Sequence, residues 1–104
     1  MNKYGAKRTF SVLCDRWFHS KAEAIRGEEL ALLERVGEIS NLEYQVKFVL
    51  SQNPRVTISI DFAYDWNGDR IYEDTKGVLT RDFRTKLAWL KGKYNIDVML
   101  SKGV

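Results

Sequence analysis

VTISIDFAYDWNGDRIYEDTKG, residues 56–77, is the stretch on which the fold turns. From Val56 to Trp66 the residues Val56, Ile58, Ile60, Phe62, Tyr64 and Trp66 occupy alternate positions, with Thr57, Ser59, Asp61, Ala63 and Asp65 between them. A two-residue period belongs to a strand, whose successive side chains point to opposite faces. Asn67-Gly68 then offers two residues that tolerate positive φ, as a two-residue hairpin turn requires. Arg70–Lys76 returns as the second strand, and Gly77 breaks it. With that turn, Trp66 faces Asp69, Tyr64 faces Ile71, Ala63 faces Tyr72 and Asp61 faces Asp74. A turn one residue longer would set Asp61 against Thr75 instead.

Outward from the hairpin, Leu42–Leu50 reads as a strand and Ser51–Pro54 as a turn. Upstream, Ser20-Lys-Ala-Glu23 has the form of a capping box, so a helix is expected from Ser20 to about Val36, ending at Gly37. Ala22, Ile25, Leu32, Leu33 and Val36 share one stripe of that helix. Residues 9–18 read as a short hairpin turning near Asp15-Arg16. Downstream, a helix from about Thr80 to Tyr94 aligns Phe83, Leu87, Leu90 and Tyr94, and Ile96, Val98 and Leu100 alternate as a last strand. The expected class is α/β or α+β, a central sheet flanked by helices.

The 104 residues allow one domain, 1–104, with residues 1–8 as a basic arm. So short a chain buries a modest share of its surface, which makes a homodimer an expectation. No run reaches the ~18 apolar residues of a membrane span, and Met1–Arg8 lacks the apolar stretch of a signal peptide. A cytoplasmic setting is expected, with Cys14, the single cysteine, a buried inert thiol. One Cys and one His exclude a zinc finger. No Gly-rich phosphate loop is present, so no nucleotide cofactor is expected. The net charge of +3 is unevenly spread: between Lys76 and Lys93 six bases face the single acid Asp82, residues 1–26 are also basic, and Glu28–Glu43 is acidic. Two basic ends suit a polyanion.

Directly opposed strand residues have Cβ atoms roughly 4.5–5.5 Å apart, so the pair Asp61 and Asp74 repels unless something offsets it. Magnesium or manganese suits such oxygen ligands. Lys76, two residues beyond Asp74, shares its face. Two carboxylates and a lysine suit phosphodiester hydrolysis, the metal polarising the phosphoryl oxygen and the lysine meeting the developing charge. The same three residues also read as a solvent-facing pair of acids bridged by Lys76. Glu73 alternates to the opposite face, where a structural role is expected. His19 reads as an exposed residue ahead of the helix cap.

Ile60-Asp61-Phe62 followed by Tyr72-Glu-Asp-Thr-Lys-Gly77 resembles the PD-(D/E)XK nuclease motif, with Ile60 at the proline position. The Asp-Thr-Lys-Gly ending and Ser20-Lys-Ala-Glu-Ala24 resemble endonuclease-I-type Holliday-junction resolvases. With Lys3-Tyr4-Gly5-Ala6-Lys7 and Gly37-Glu-Ile-Ser-Asn-Leu-Glu43, the chain is similar, nearly throughout, to a small phage-encoded endonuclease family. The resemblance implies a restriction-endonuclease-like mixed sheet and a metal-dependent endonuclease acting on branched DNA, in the cytoplasm of a host cell. It implies Asp61 as bridging Mg2+ or Mn2+ ligand, Asp74 as second carboxylate, Thr75 as a carbonyl ligand, Lys76 as catalytic lysine and Glu23 as an added catalytic acid and further metal ligand. Glu23 equally reads as the closing residue of the capping box. Gln45, on the strand beside the hairpin, stands where related nucleases place a polar residue near the metal.

Arg81, Arg84 and Lys86 follow the active-site strand and are expected on phosphates, as are Lys3, Lys7 and Arg8 of the arm. Trp89, among bases on the second helix, suits stacking on an unpaired base or a dimer contact. No segment reads as a base-specific recognition helix. Three other readings remain: a nicking or flap nuclease, a silent DNA-binding module, and an interaction protein whose charges only solubilise it.

Overall fold

Asn67 and Gly68 both adopt positive φ, 51° and 81°, and close a two-residue turn between β4 (Arg55–Trp66) and β5 (Asp69–Thr75). A computed structural model describes residues 7–76 and 78–101. Its register is Trp66 with Asp69, Tyr64 with Ile71, Ala63 with Tyr72 and Phe62 with Glu73, as the short turn requires. The strand before it, β3, runs Ser40–Gln52, beginning and ending two residues outside the expected Leu42–Leu50, and pairs antiparallel with β4 across a cis Asn53–Pro54 bond. The last strand, β6 (Val98–Ser101), lies parallel to β5. The result is a four-stranded mixed sheet ordered β3-β4-β5-β6.

A separate two-stranded hairpin, β1 (Thr9–Ser11) with β2 (Arg16–Phe18), precedes the helix α1 (Lys21–Arg35). Its turn is Val12–Asp15, with Asp15 at φ 52°, and Arg16 already pairs with Ser11, so the expected turn at Asp15-Arg16 lies slightly too late. The expected arm at residues 1–8 falls mostly outside the described residues. Lys7 and Arg8 lie within them, and the Arg8 guanidinium sits 5.2 Å from the Trp17 ring centroid. Helix α2 (Arg81–Tyr94) starts at an N-cap Thr80 and ends at Asn95 in the left-handed conformation. No helix among the described residues is long and apolar enough to cross a membrane.

Each helix has its own cluster of buried residues. Ala24 and Leu30 of α1 pack with Phe18, Ile39, Phe62 and Tyr64, with Ile71 against them. Leu90 of α2 packs with Leu50, Ile58 and Ile60, with Tyr72, Phe83, Leu87 and Val98 against them. The alternate residues of β4 are therefore divided between two clusters, where the sequence pattern put them on one face. The divide falls at Asp61. Opposite it on β3, Gln45 takes φ 52°, while the register of β3 on β4 stays the same on either side of it.

The buried face of α1 also differs from the expected stripe. Glu23, Ala24, Gly27 and Leu30 are buried, whereas Leu32 and Val36 are 49% and 73% exposed. Gly27 explains the choice. A Cβ there would stand 2.6 Å from Phe18 Cζ and 2.9 Å from Cε1, so the helix settles against the Phe18 ring on the side that lacks a side chain. That ring is held in turn by Tyr44 and Phe62, at 5.8 and 6.4 Å between centroids, and has little room to retreat. Gly27→Ala gains about 1 kcal/mol of helix propensity but overpacks this contact, a defect of about 1–3 kcal/mol. A net loss of stability is expected, read as a lower midpoint in thermal unfolding by circular dichroism. A midpoint at or above wild type would mean that the ring moves freely.

Candidate active site

Asp61 and Asp74 meet where the β4–β5 ladder gives way. The last backbone pair is Phe62 with Glu73. One step further, side chains replace carbonyls: the Asp61 N–H donates to Asp74 Oδ1 at 2.8 Å, and the Thr75 N–H donates to Asp61 Oδ2 at 2.9 Å. The facing acids expected from the short turn are thus together, each bonded by a backbone N–H that offsets part of their repulsion. Asp74 is fully buried and Asp61 nearly so. The Lys76 Nζ lies 3.2 Å from Asp74 Oδ2 and 4.2 Å from the Phe83 ring centroid.

Glu23 reaches the same place from α1. Its N–H donates to Ser20 Oγ at 3.0 Å, as the capping signature anticipates. Its carboxylate, however, accepts from the His19 N–H at 2.9 Å through Oε1 and from Gln45 Nε2 at 2.7 Å through Oε2. The same Gln45 nitrogen donates to Asp61 Oδ1 at 3.2 Å, so Gln45 ties the helix acid to the strand acid. The capping box is thus not closed on the Ser20 N–H: Glu23 meets Ser20 through its backbone alone, and its carboxylate belongs to the acidic cluster. The left-handed Gln45 brings its amide between the two acids, a position its place on a strand did not reveal.

The electrostatics follow from burial. Desolvation, and then the charge of Asp61, push the Glu23 carboxyl up to about 7 against the His19 N–H and Gln45 bonds that oppose the shift. Desolvation and Asp61 likewise push Asp74 up to about 7, with Lys76 and the Asp61 N–H opposing. Asp74 Oδ2 is buried without a hydrogen-bond partner. The Lys76 ammonium stands 3.2 Å from it as its ion-pair partner. Among the described residues, no three His, Cys, Asp or Glu side chains stand ready as a metal-holding group. Asp61 and Asp74 are a two-carboxylate set, and the orphaned Oδ2 beside a second acid fits a hard divalent cation. Thr75 joins the site through its N–H, and its hydroxyl lies 3.2 Å from Ser101 Oγ.

Glu73 has the structural role expected of the opposite face. It is fully buried. It accepts from Arg26 Nε at 2.6 Å and Nη2 at 3.1 Å, and from the Tyr64 hydroxyl at 2.8 Å. Burial, and then the bond to Glu73, push the Tyr64 phenol up to about 12. Arg26 was not anticipated. On a helical wheel it lies one residue short of Gly27, and nothing in the spacing announces its partner 47 residues later.

Of the expected phosphate contacts, Lys7, Arg8, Arg81 and Arg84 are exposed, while Lys3 lies outside the described residues. Lys86 stands 3.6 Å from Asp82 in an exposed pairing of little strength. Lys91 pairs with Asp97 and Lys93 donates to the Leu50 carbonyl, so both are engaged within the fold. Trp89 is 41% exposed. His19 is 73% exposed, with Nδ1 3.6 Å from Glu23 Oε1. Cys14 is half-buried, and the Tyr44 hydroxyl lies 3.7 Å from its Sγ. A polar depression of about 580 Å³ lies at the far end of β4, lined by Gly37–Ser40, Asp65–Gly68 and Arg70, and includes none of the clustered acids.

Fold and site together define a mixed α+β domain organised around a buried cluster of acids with one lysine. The chain belongs to the family described as Protein of unknown function (DUF1064), whose model matches residues 1–102. No curated protein matches it.

Proposed function

We propose that the chain is a divalent-metal-dependent endonuclease of the PD-(D/E)XK type that hydrolyses DNA phosphodiester bonds, with a preference for branched duplex such as Holliday junctions. The observation that carries this reading is the meeting of Asp61 and Asp74 on adjacent strands, with Lys76 at 3.2 Å from a buried oxygen that lacks a hydrogen bond. The mixed sheet and the resemblance of Ile60–Phe62 and Tyr72–Gly77 to the nuclease motif support it. Asp61 and Asp74, with the Thr75 carbonyl, would hold Mg2+ or Mn2+. When bound, such a cation supplies Lewis-acid stabilisation of the phosphoryl oxygen.

The chain's own residues do the rest. Lys76 places a positive charge where negative charge builds on the phosphate. Glu23 adds a third, buried carboxyl beside Asp61. Gln45 holds Glu23 and Asp61 in one geometry. Arg81 and Arg84 lie on the first turn of α2, whose Phe83 packs under Lys76, and so border the site to bind flanking phosphates, with Lys86 one turn on. A homodimer in the cytoplasm of a host cell would present two such sites to a junction. Nicking or flap cleavage uses the same chemistry.

A second reading, a catalytically silent DNA-binding module, has one observation in its favour: Asp61 and Glu23 already have partners on every carboxylate oxygen. The test is cleavage of a four-way junction beside matched duplex and single strand, in magnesium, manganese or EDTA. Wild type is expected to cut the junction fastest and only with metal, and Lys76→Ala to lose about 100-fold in rate. Salt-sensitive binding without cutting in any metal would leave the silent module.

A further inference from the structure

The β1–β2 hairpin turns an aromatic face away from the core. Ser11 and Phe18 point inward and are buried at 1% and 2% exposure, while the cross-strand pair Phe10 and Trp17 remains 43% and 55% exposed. Their rings stand edge to face at 5.3 Å, and the Arg8 guanidinium covers Trp17. The turn adds Val12 and Leu13, also exposed. An apolar patch of this kind on so small a domain needs an occupant. None of these residues takes part in the acidic site.

Charge selects the occupant. Lys7, Arg8 and Lys21 are exposed around this hairpin against Asp15 alone, while Arg16 turns to the inward face and covers the Tyr44 ring at 4.3 Å. A second copy docked through the same face would oppose two cationic surfaces, which disfavours that pairing. Neutral aromatic faces edged with arginine and lysine match a strand of unpaired nucleotides, whose bases stack while the phosphates meet the cations. The location fits as well. Trp17 is two residues from His19, whose N–H donates to Glu23 of the acidic cluster.

We propose that Phe10 and Trp17, under Arg8, form a stacking platform that holds an unpaired nucleotide of DNA beside the acidic site. This rests on the nuclease reading and makes its substrate preference specific: the enzyme selects DNA with bases outside the duplex stack, as at a branch point or gap.

The test is binding in EDTA, so that its result is independent of whether the chain cuts. Fluorescence anisotropy is measured with a labelled thymidine oligonucleotide, the same oligonucleotide with one abasic position, a gapped duplex and an intact duplex. Trp17→Ala is expected to weaken binding to the oligonucleotide and the gapped duplex by about tenfold, and binding to intact duplex by less than about twofold. Trp17→Tyr restores most of the loss, and the abasic position weakens wild type more than Trp17→Ala. Equal losses on all four substrates, or none, would overturn the platform. So would a change of oligomeric state in Trp17→Ala by sedimentation, which would assign this face to a second copy. A nuclease that binds without this pattern loses the platform alone. A protein that binds unpaired DNA through Trp17 yet never cuts keeps the platform and loses the nuclease.

Discussion

Asp61→Ala is expected to abolish metal-dependent cutting and, in the same protein, to flatten the dependence of stability on pH. The first effect follows from its proposed place as a cation ligand. Loss of Lewis-acid stabilisation removes several kcal/mol from the transition state, about 1000-fold in rate. The second follows from burial and charge. Glu23 and Asp74, both raised to about 7, bind protons more tightly in the folded chain than in the unfolded one. That preference favours the fold fully below the unfolded values near about 4, and is lost as pH rises through about 7. Wild type without divalent cation should therefore melt at least about 5 °C lower at pH 8 than at pH 5. Burial is the larger cause of both shifts and Asp61 the second. Asp61→Ala accordingly shrinks the difference between the two pH values without erasing it. Added magnesium raises the wild-type midpoint at pH 8 and leaves the variant unchanged. Scanning fluorimetry at both pH values, with and without magnesium, reads the stability effects, and a junction-cleavage assay reads the rate. An unchanged pH difference would mean that Asp61 does not repel its neighbours. Retained cutting would remove it from the site.

The same residues mark how far the sequence carries. A short turn specifies register because only a few residue types tolerate its dihedral angles, and Asn67-Gly68 is such a pair, so the facing of Asp61 and Asp74 was legible. Lys76 followed from alternation over two residues. Glu23 was legible at the helix cap, where its N–H meets Ser20 Oγ, but its carboxylate takes the His19 N–H instead of closing the box on Ser20 and joins the acidic cluster through Gln45. Periodicity failed where backbone or packing departs from the ideal. The apolar residues of β4 divide at Asp61 between two clusters, one under each helix, which no count of alternate positions anticipates. Helix α1 packs through Gly27, a residue invisible to a search for apolar stripes, and so leaves Leu32 and Val36 in solvent. The outward aromatic pair of the first hairpin was hidden because Phe10 and Trp17 look like core residues until the partner strand is set.

Arg26→Ala is expected to be the most destabilising single change outside the acidic cluster, and the reason lies on the face of β5 opposite Asp74. Glu73 is completely buried, and among the described residues Arg26 is the one cation paired with it, with the Tyr64 hydroxyl completing one oxygen. Removing one partner of a buried ion pair strands the other, at a cost of about 3–5 kcal/mol. For a domain of this size that lowers the midpoint by about 15 °C or more. The attraction itself is a smaller quantity, because both groups lost hydration to form it, and the second substitution separates the two. Glu73→Gln keeps an oxygen for Tyr64 and removes the charge, while the partly exposed Arg26 side chain regains water. The double variant Arg26→Ala, Glu73→Gln should therefore recover most of what Arg26→Ala loses, giving a coupling of about 2 kcal/mol or more in a double-mutant cycle. Chemical denaturation of the four proteins measures it. An Arg26→Ala variant within about 1 kcal/mol of wild type would show that water reaches Glu73. The pair would then be a surface bridge, and β5 would be held in place by its apolar neighbours alone.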